Sequence, residues 1–292
     1  MTNSWLRARP AMKLAALPLA ALGACLAVPA FARSDDASND GRPTYNGPYI
    51  AIAVGNTSQP NDGGDTLVFD RANNGQYGTA LPTATGANAF APGFCHGAFT
   101  STAPGNCLPD HNRADFSAKV GFDSRSGNFV AGLLVEGQYN HSLDHTSAFS
   151  VTPAAYRISR GLDYGVSARG RLGYTPNGGG LFYVTGGIGY ARLRHQFVTT
   201  NTLNQFTPQR DHSWVLGGQF GGGGEVLLSR HLGLGIEYLY NHYRDNKYYV
   251  AVTQGTAPAT NPFLLGGGQT NIKDSNPNYN FHTVRAVLAY HF

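Results

Sequence analysis

Thr283-Val284-Arg285-Ala286-Val287-Leu288-Ala289-Tyr290-His291-Phe292 closes the chain. Side chains alternate between the two faces of an extended strand. One face of this segment carries Val284, Ala286, Leu288, Tyr290 and Phe292; the other carries Thr283, Arg285, Val287, Ala289 and His291. A strand of about ten residues with one apolar face, an aromatic end and a mid-strand arginine on the opposite face fits a tilted strand in the wall of a membrane barrel.

The same alternation recurs upstream over 49–57, 114–123, 128–139, 161–174, 181–197, 213–228 and 232–244, with the last segment at 280–292. Mid-strand charges fall opposite the aliphatic and aromatic stripe. Phe116, Ala118, Val120 and Phe122 oppose Asp115, Ser117, Lys119 and Asp123; Phe129, Ala131, Leu133 and Val135 oppose Glu136 and Gln138. Val166, Ala168 and Leu172 oppose Arg169 and Arg171; Trp214, Leu216 and Phe220 oppose Gln219 and Glu225; Leu234, Ile236 and Tyr238 oppose Glu237. A charge facing hydrocarbon at mid-membrane costs about 2–4 kcal/mol, so this sorting is expected of a barrel in lipid. A soluble barrel would invert it.

Connectors alternate in length. Those after the second, fourth and sixth strands are short: 124–127, 175–180 and 229–231. Those after the first, third, fifth and seventh are long: 58–113, 140–160, 198–212 and 245–279. An all-β, eight-stranded antiparallel up-and-down transmembrane barrel, with short periplasmic turns and long extracellular loops, has this rhythm. The runner-up is ten strands, because 65–81, centred on Asn73-Asn74-Gly75, reads as a hairpin. Its arms are short and polar, so it is expected to extend the barrel above the membrane, as is 248–253 beyond the seventh strand.

At the other end, Arg7, Arg9 and Lys13 precede the apolar run 14–26 and the small-x-small site Ala30-Phe31-Ala32. This pattern is a cleavable signal, too short to span as a helix. The expected organisation is a signal peptide at 1–32, a short periplasmic segment at 33–44 and a barrel domain at 45–292, in the outer membrane. Lipoprotein processing at Cys25 is the alternative. Losing Arg7, Arg9 and Lys13, and no acidic residue, takes the net charge from +4 to +1, which leaves no footprint for nucleic acid. After residue 32 no run of about 18 apolar residues occurs. With 38 Gly, 16 Tyr and 16 Phe, the composition suits aromatic girdles and small lumen-facing residues better than a helical globule.

Cys95 and Cys107 stand in a Gly/Pro/Ser/Thr-rich stretch of an exported chain. A local disulfide is expected there, worth about 3 kcal/mol in the chain-entropy model. The run Gly221-Gly222-Gly223-Gly224 lies inside a strand with no Lys-Ser or Lys-Thr after it, so it reads as room for lumen side chains rather than a phosphate loop.

The expected lumen set is Lys119, Glu136, Arg169, Arg171, Glu225, Glu237 and Arg285. Its mixed signs favour a salt-bridge plug over a one-sign pore, since eight strands leave room for little but side chains. A narrow porin for small solutes is the alternative. The neighbours His141-Ser142 and His212-Ser213 point to opposite faces of a strand, so neither makes a nucleophile and base, and no catalysis is expected. His96, His111, His141, His145, His195 and His242 lie in or near outer loops at spacings that fit no metal pattern. No cofactor is expected; loop-mediated binding of haem or a host ligand is a third reading.

Several stretches resemble the Omp25/Omp31-like outer-membrane β-barrel proteins, porin-family and opacity-type surface antigens of alphaproteobacteria. They are Tyr45-Asn46-Gly47-Pro48-Tyr49-Ile50, Gly127-Asn128-Phe129-Val130, Val135-Glu136-Gly137 and Arg169-Gly170-Arg171-Leu172-Gly173-Tyr174-Thr175-Pro176. Leu181-Phe182-Tyr183-Val184-Thr185-Gly186-Gly187, Glu237-Tyr238-Leu239-Tyr240 and the closing strand complete the set. The resemblance spans most strands and none of the long loops. It implies an eight-stranded barrel whose loops meet the outside. Tyr290 and Phe292 also resemble the terminal signal read by the barrel-assembly machinery, with Val287 where that signal has Gly. The implied partners are outer-membrane lipid and lipopolysaccharide, that machinery during biogenesis, and host or neighbouring surface ligands at the loops.

Overall fold

The structure is a computed structural model that describes residues 45–59, 64–110, 112–176 and 179–292. The signal segment 1–32, its cleavage site, Cys25 and the segment 33–44 lie outside the described residues.

Eight long strands form the barrel wall: β1 (Gly47–Ser58), β2 (Arg113–Ser126), β3 (Phe129–Asn140), β4 (Ala154–Tyr174), β5 (Gly180–Thr199), β6 (His212–Leu227), β7 (Leu232–Arg244) and β8 (Asn278–His291). Each pairs antiparallel with its neighbours in sequence, and β8 pairs with β1 through Tyr49↔His291 to Ser58↔His282. This last pairing closes the sheet at eight strands and leaves the wall no free edge. The ten-stranded alternative falls away.

Two local devices fit the chain to the wall. Ser126 pairs with Phe129, leaving only Gly127-Asn128 in the β2–β3 turn, and Gly127 takes φ +59°. A two-residue hairpin needs that left-handed value, which only Gly adopts at no steric cost. Between β4 and β5 the register slips at Arg192/Leu193. Such a bulge frees a backbone donor. The Leu162 amide instead donates to the Tyr279 hydroxyl, 3.2 Å away on β8.

The outward face is apolar from strand to strand. Ile52, Leu133, Leu172, Phe182, Ile188, Phe220 and Ile236 are all exposed, Leu133 at 73% and Ile236 at 61%. Aromatic pairs flank this band: Phe129 with Tyr174 and Tyr290 with Phe292 at the end with the short turns, Tyr190 stacked on Trp214 at the other. Such a band between girdles is the surface of a barrel immersed in lipid.

The long loops depart from expectation. The strand Leu67–Asp70 does not form a full hairpin within 65–81; a single bridge, Phe69↔Gly78, remains of it. It pairs instead with Thr270–Asp274 in a four-stranded outer sheet. Tyr249–Thr253 belongs to the same sheet, between Thr270–Asp274 and Gln205–Gln209, so it does not prolong β7. β4 begins at Ala154 rather than 161, because its upper part pairs with Asp144–Ser150. These segments bury Leu67, Phe69, Phe90, Tyr156, Val250, Val252, Phe263 and Ile272 in one core. Each loop alone carries too few apolar residues to fold; together they make a dome over the extracellular end.

Cys95 and Cys107 are disulfide-bonded in the first long loop, with Cα atoms 6.3 Å apart. Mass-shift labelling of the unreduced protein is expected to mark neither cysteine, and to mark both after reduction; free thiols before reduction would contradict the bridge.

Candidate functional site

The lumen is filled in layers. Its central layer joins five of the seven expected charged residues. Lys119 and Glu136 are direct cross-strand partners on β2 and β3, as are Glu237 and Arg285 on β7 and β8. Lys119 Nζ lies 2.7 Å from Glu237 Oε1 across the lumen and 3.6 Å from Glu136 Oε2 on the adjoining strand. Arg169 Nη2 lies 2.6 Å from Glu136 Oε2, and Arg285 Nη2 lies 2.9 Å from Glu136 Oε1. Arg285 also reaches Asp115 at 3.3 Å and donates to the Ser117 hydroxyl at 2.7 Å.

The other two, Arg171 and Glu225, sit nearer the short turns. Arg171 forms a two-pronged pair with Asp123 and lies 3.7 Å from Glu225. Its guanidinium packs over the rings of Tyr49 and Tyr183, 4.5 and 5.2 Å from their centroids. His291 Nε2 approaches Glu225 Oε1 at 2.6 Å. Tyr183 ties this layer to the centre by donating to Glu237 Oε2 at 3.0 Å.

The sequence-based set omits Asp115, Asp123 and His291. All three share a face with residues in the set: Asp115 and Asp123 with Lys119, and His291 with Arg285. Alternation along the strand alone places all three on the lumen face. With the two aspartates, the lumen around these layers holds four basic and five acidic side chains among the described residues.

Above the charges, Gln219 donates to Asn241 at 2.8 Å and sits beside Gln138 and Tyr243. An apolar layer follows, built from Leu162, Leu193, Val215, Tyr243, Tyr279 and Phe281. Lumen-facing glycines make this filling fit. A Cβ at Gly223 would meet the Tyr183 hydroxyl at 2.7 Å, and one at Gly189 would meet the Tyr243 hydroxyl at 2.6 Å. The glycine run in β6 therefore gives space to large side chains.

The central groups are shut off from water. Glu136 is 0% exposed, and Arg169, Arg285 and Glu237 are each 1% exposed. A continuous aqueous channel would leave these side chains wet.

At the dome–barrel junction, Asp245 lies between two groups. Its Oδ2 is 2.6 Å from His195 Nε2, and its Oδ1 accepts from the Ser213 hydroxyl at 3.4 Å. The carboxylate lies between serine and imidazole, so His195 is not placed to take the serine proton directly. His141 contacts the Tyr139 hydroxyl at 3.1 Å, and His145 contacts Ser159 Oγ at 2.7 Å. His111 lies outside the described residues. Among the described residues, no group of three or more His, Cys, Asp or Glu is placed to hold a metal ion.

No family model matches the chain. The 31 kDa outer-membrane immunogenic protein of Brucella melitensis is 25% identical over 195 residues, covering 58% of this chain and 69% of the relative. The chain is a homologue of that outer-membrane immunogenic protein. The corresponding protein of Brucella suis matches to the same extent. Among solved structures, the outer-membrane protein OprG of Pseudomonas aeruginosa aligns with a TM-score of 0.46 at 12% identity, covering 87% of this chain and all of that one. The outer-membrane protease OmpT of Escherichia coli aligns with a TM-score of 0.43 at 10% identity, covering 85% and 98%. Neisserial surface protein A aligns with a TM-score of 0.32 at 10% identity, with the same coverages. This homologue of the immunogenic proteins is thus an outer-membrane barrel, in contact with lipid around its whole apolar band. The immunogenic relative is covered by 195 aligned residues, so the kinship rests on the sequence and the barrel on the chain's own closed sheet.

Proposed function

We propose that this barrel is a structural, non-conducting and non-catalytic envelope protein, which anchors a folded dome at the cell surface. The observation that carries the reading is the near-zero exposure of Glu136, Arg169, Glu237 and Arg285 across the middle of the lumen. Opposite charges placed at hydrogen-bond distance offset each other's burial, whereas a conducting lining leaves its charges hydrated. The apolar layer of Tyr243, Tyr279 and Phe281, and the dome core above it, add two further barriers.

The remaining parts of the reading follow from the chain's ends and loops. A signal at 1–32 exports the chain, and Tyr290 with Phe292 addresses it to the barrel-assembly machinery. Lipid and lipopolysaccharide surround the wall. The dome, whose exposed apolar residues include Val151 and Leu203, meets host or neighbouring surface ligands.

Planar-bilayer recording of the refolded mature barrel tests the closed lumen. The expected trace has no steady unitary openings. Stable openings with a reproducible conductance would overturn the plug and establish the narrow porin in its place.

A further inference from the structure

Where the dome meets the barrel, a cavity of about 210 Å³ opens between β4, β5, the segment after β7 and the segment before β8. Its walls include Arg160, His195, Asp245, Tyr248, Lys273 and Asp274. The hydrogen-bond groups of this wall are unequally used.

Both carboxylates are already engaged within the protein. Asp245 takes His195 and Ser213. Asp274 accepts from the Thr146 hydroxyl at 2.6 Å and from the Asn276 amide at 2.8 Å. Burial also pushes the Asp274 carboxyl above the usual carboxylate range.

The donors are left over. Arg160 is 3% exposed; its Nε donates to Asp144 at 2.7 Å and its Nη1 to the Asn276 carbonyl at 2.6 Å. Its Nη2 is buried with no partner. Tyr248 is 6% exposed, with its ring stacked on His195 at 4.4 Å and its hydroxyl buried with no partner. Burial holds that hydroxyl protonated well above the usual tyrosine range, so it remains a donor. The Lys273 ammonium sits 3.9 Å from the centroid of the Tyr77 ring. Exposed Arg244 adds a further cation to the cavity lining.

Buried donors without acceptors are costly, and a guanidinium, a hydroxyl and an ammonium carried by the lining of one cavity are the donor types that an oxyanion takes. We propose that this cavity is a binding site for a phosphate-class oxyanion, held by Arg160 Nη2, the Tyr248 hydroxyl and Lys273. At about 30 Å³ per water in the liquid, the space exceeds what one or two waters fill. The anion comes either from solution or from a phosphorylated lipid headgroup of the outer leaflet.

The test uses the mature chain refolded in detergent. Its unfolding midpoint is followed against sodium phosphate, with sodium chloride at matched ionic strength as the reference. The expected result is a saturable rise in phosphate, because a ligand that binds the folded state alone stabilises it. Tyr248→Phe keeps the ring stack and removes the unpartnered donor, so it is expected to fold with a midpoint in chloride no lower than that of the wild type. Tyr248→Phe and Lys273→Gln are each expected to weaken the apparent phosphate affinity about tenfold. In vesicles, a phosphate response abolished by phosphorylated lipid A and kept with dephosphorylated lipid A identifies the headgroup as occupant. A response kept in both identifies the free anion. A midpoint that follows ionic strength alone, or a phosphate shift of equal affinity in wild type and both variants, overturns the site.

Discussion

Replacing Glu237 by leucine is expected to lower the stability of the folded barrel by about 3–5 kcal/mol, read as a lower urea midpoint in detergent. Glu237 lies 2.7 Å from Lys119, 3.4 Å from Arg285 and 3.6 Å from Arg169, and it accepts from Tyr183. Without it, three buried cations share Glu136 and Asp115. Removing one partner of a buried pair leaves charge uncompensated, and that is far more damaging than replacing a whole pair by fitted apolar groups. Glu237→Gln keeps an acceptor for Lys119 and Tyr183 and is expected to lose less. If the leucine variant lost under about 1 kcal/mol, the central layer would be hydrated, and the closed-lumen reading would fall with it.

Leu133→Lys tests the opposite face. Leu133 is 73% exposed on β3, one residue from lumen-facing Leu134, which is 3% exposed. Lysine near the midplane of a lipid-facing strand is expected to cost about 2–4 kcal/mol, measured by unfolding from lipid vesicles. The cost should shrink when the substitution moves outward to Phe129, where the long side chain reaches the interface. An equal cost at both positions would place the apolar band somewhere other than the membrane. The two substitutions read one alternation from its two sides: an acid lost from the interior, a base added to the exterior.

How much of this was legible in advance depends on the range of the interaction. The strands, their inward and outward faces and the short turns follow a period of two that local sequence carries in full. Neighbouring pairs such as Lys119 with Glu136 follow once adjacent strands are registered by a tight turn. The dome was not legible. Phe69 and Phe90 of the first long loop meet Phe263 of the last only after these two distant loops fold together, and each of them reads as polar by itself. The same limit hid the cavity at its base, whose donors come from β4, the segment after β7 and the strand before β8.

The closing strand shows the division. By itself the sequence determined that Arg285 faces away from lipid, because side chains alternate and hydrocarbon excludes charge. It also determined that Tyr290 and Phe292 end the apolar face. Only the tertiary structure decided what Arg285 meets. Glu237 is its neighbour on β7, but Glu136 and Asp115 reach it from β3 and β2, across a lumen whose diameter and stagger are set by closing eight tilted strands. No local pattern encodes which residues a closed sheet brings to one level, so charge sorting was a property of the strand and charge pairing a property of the barrel.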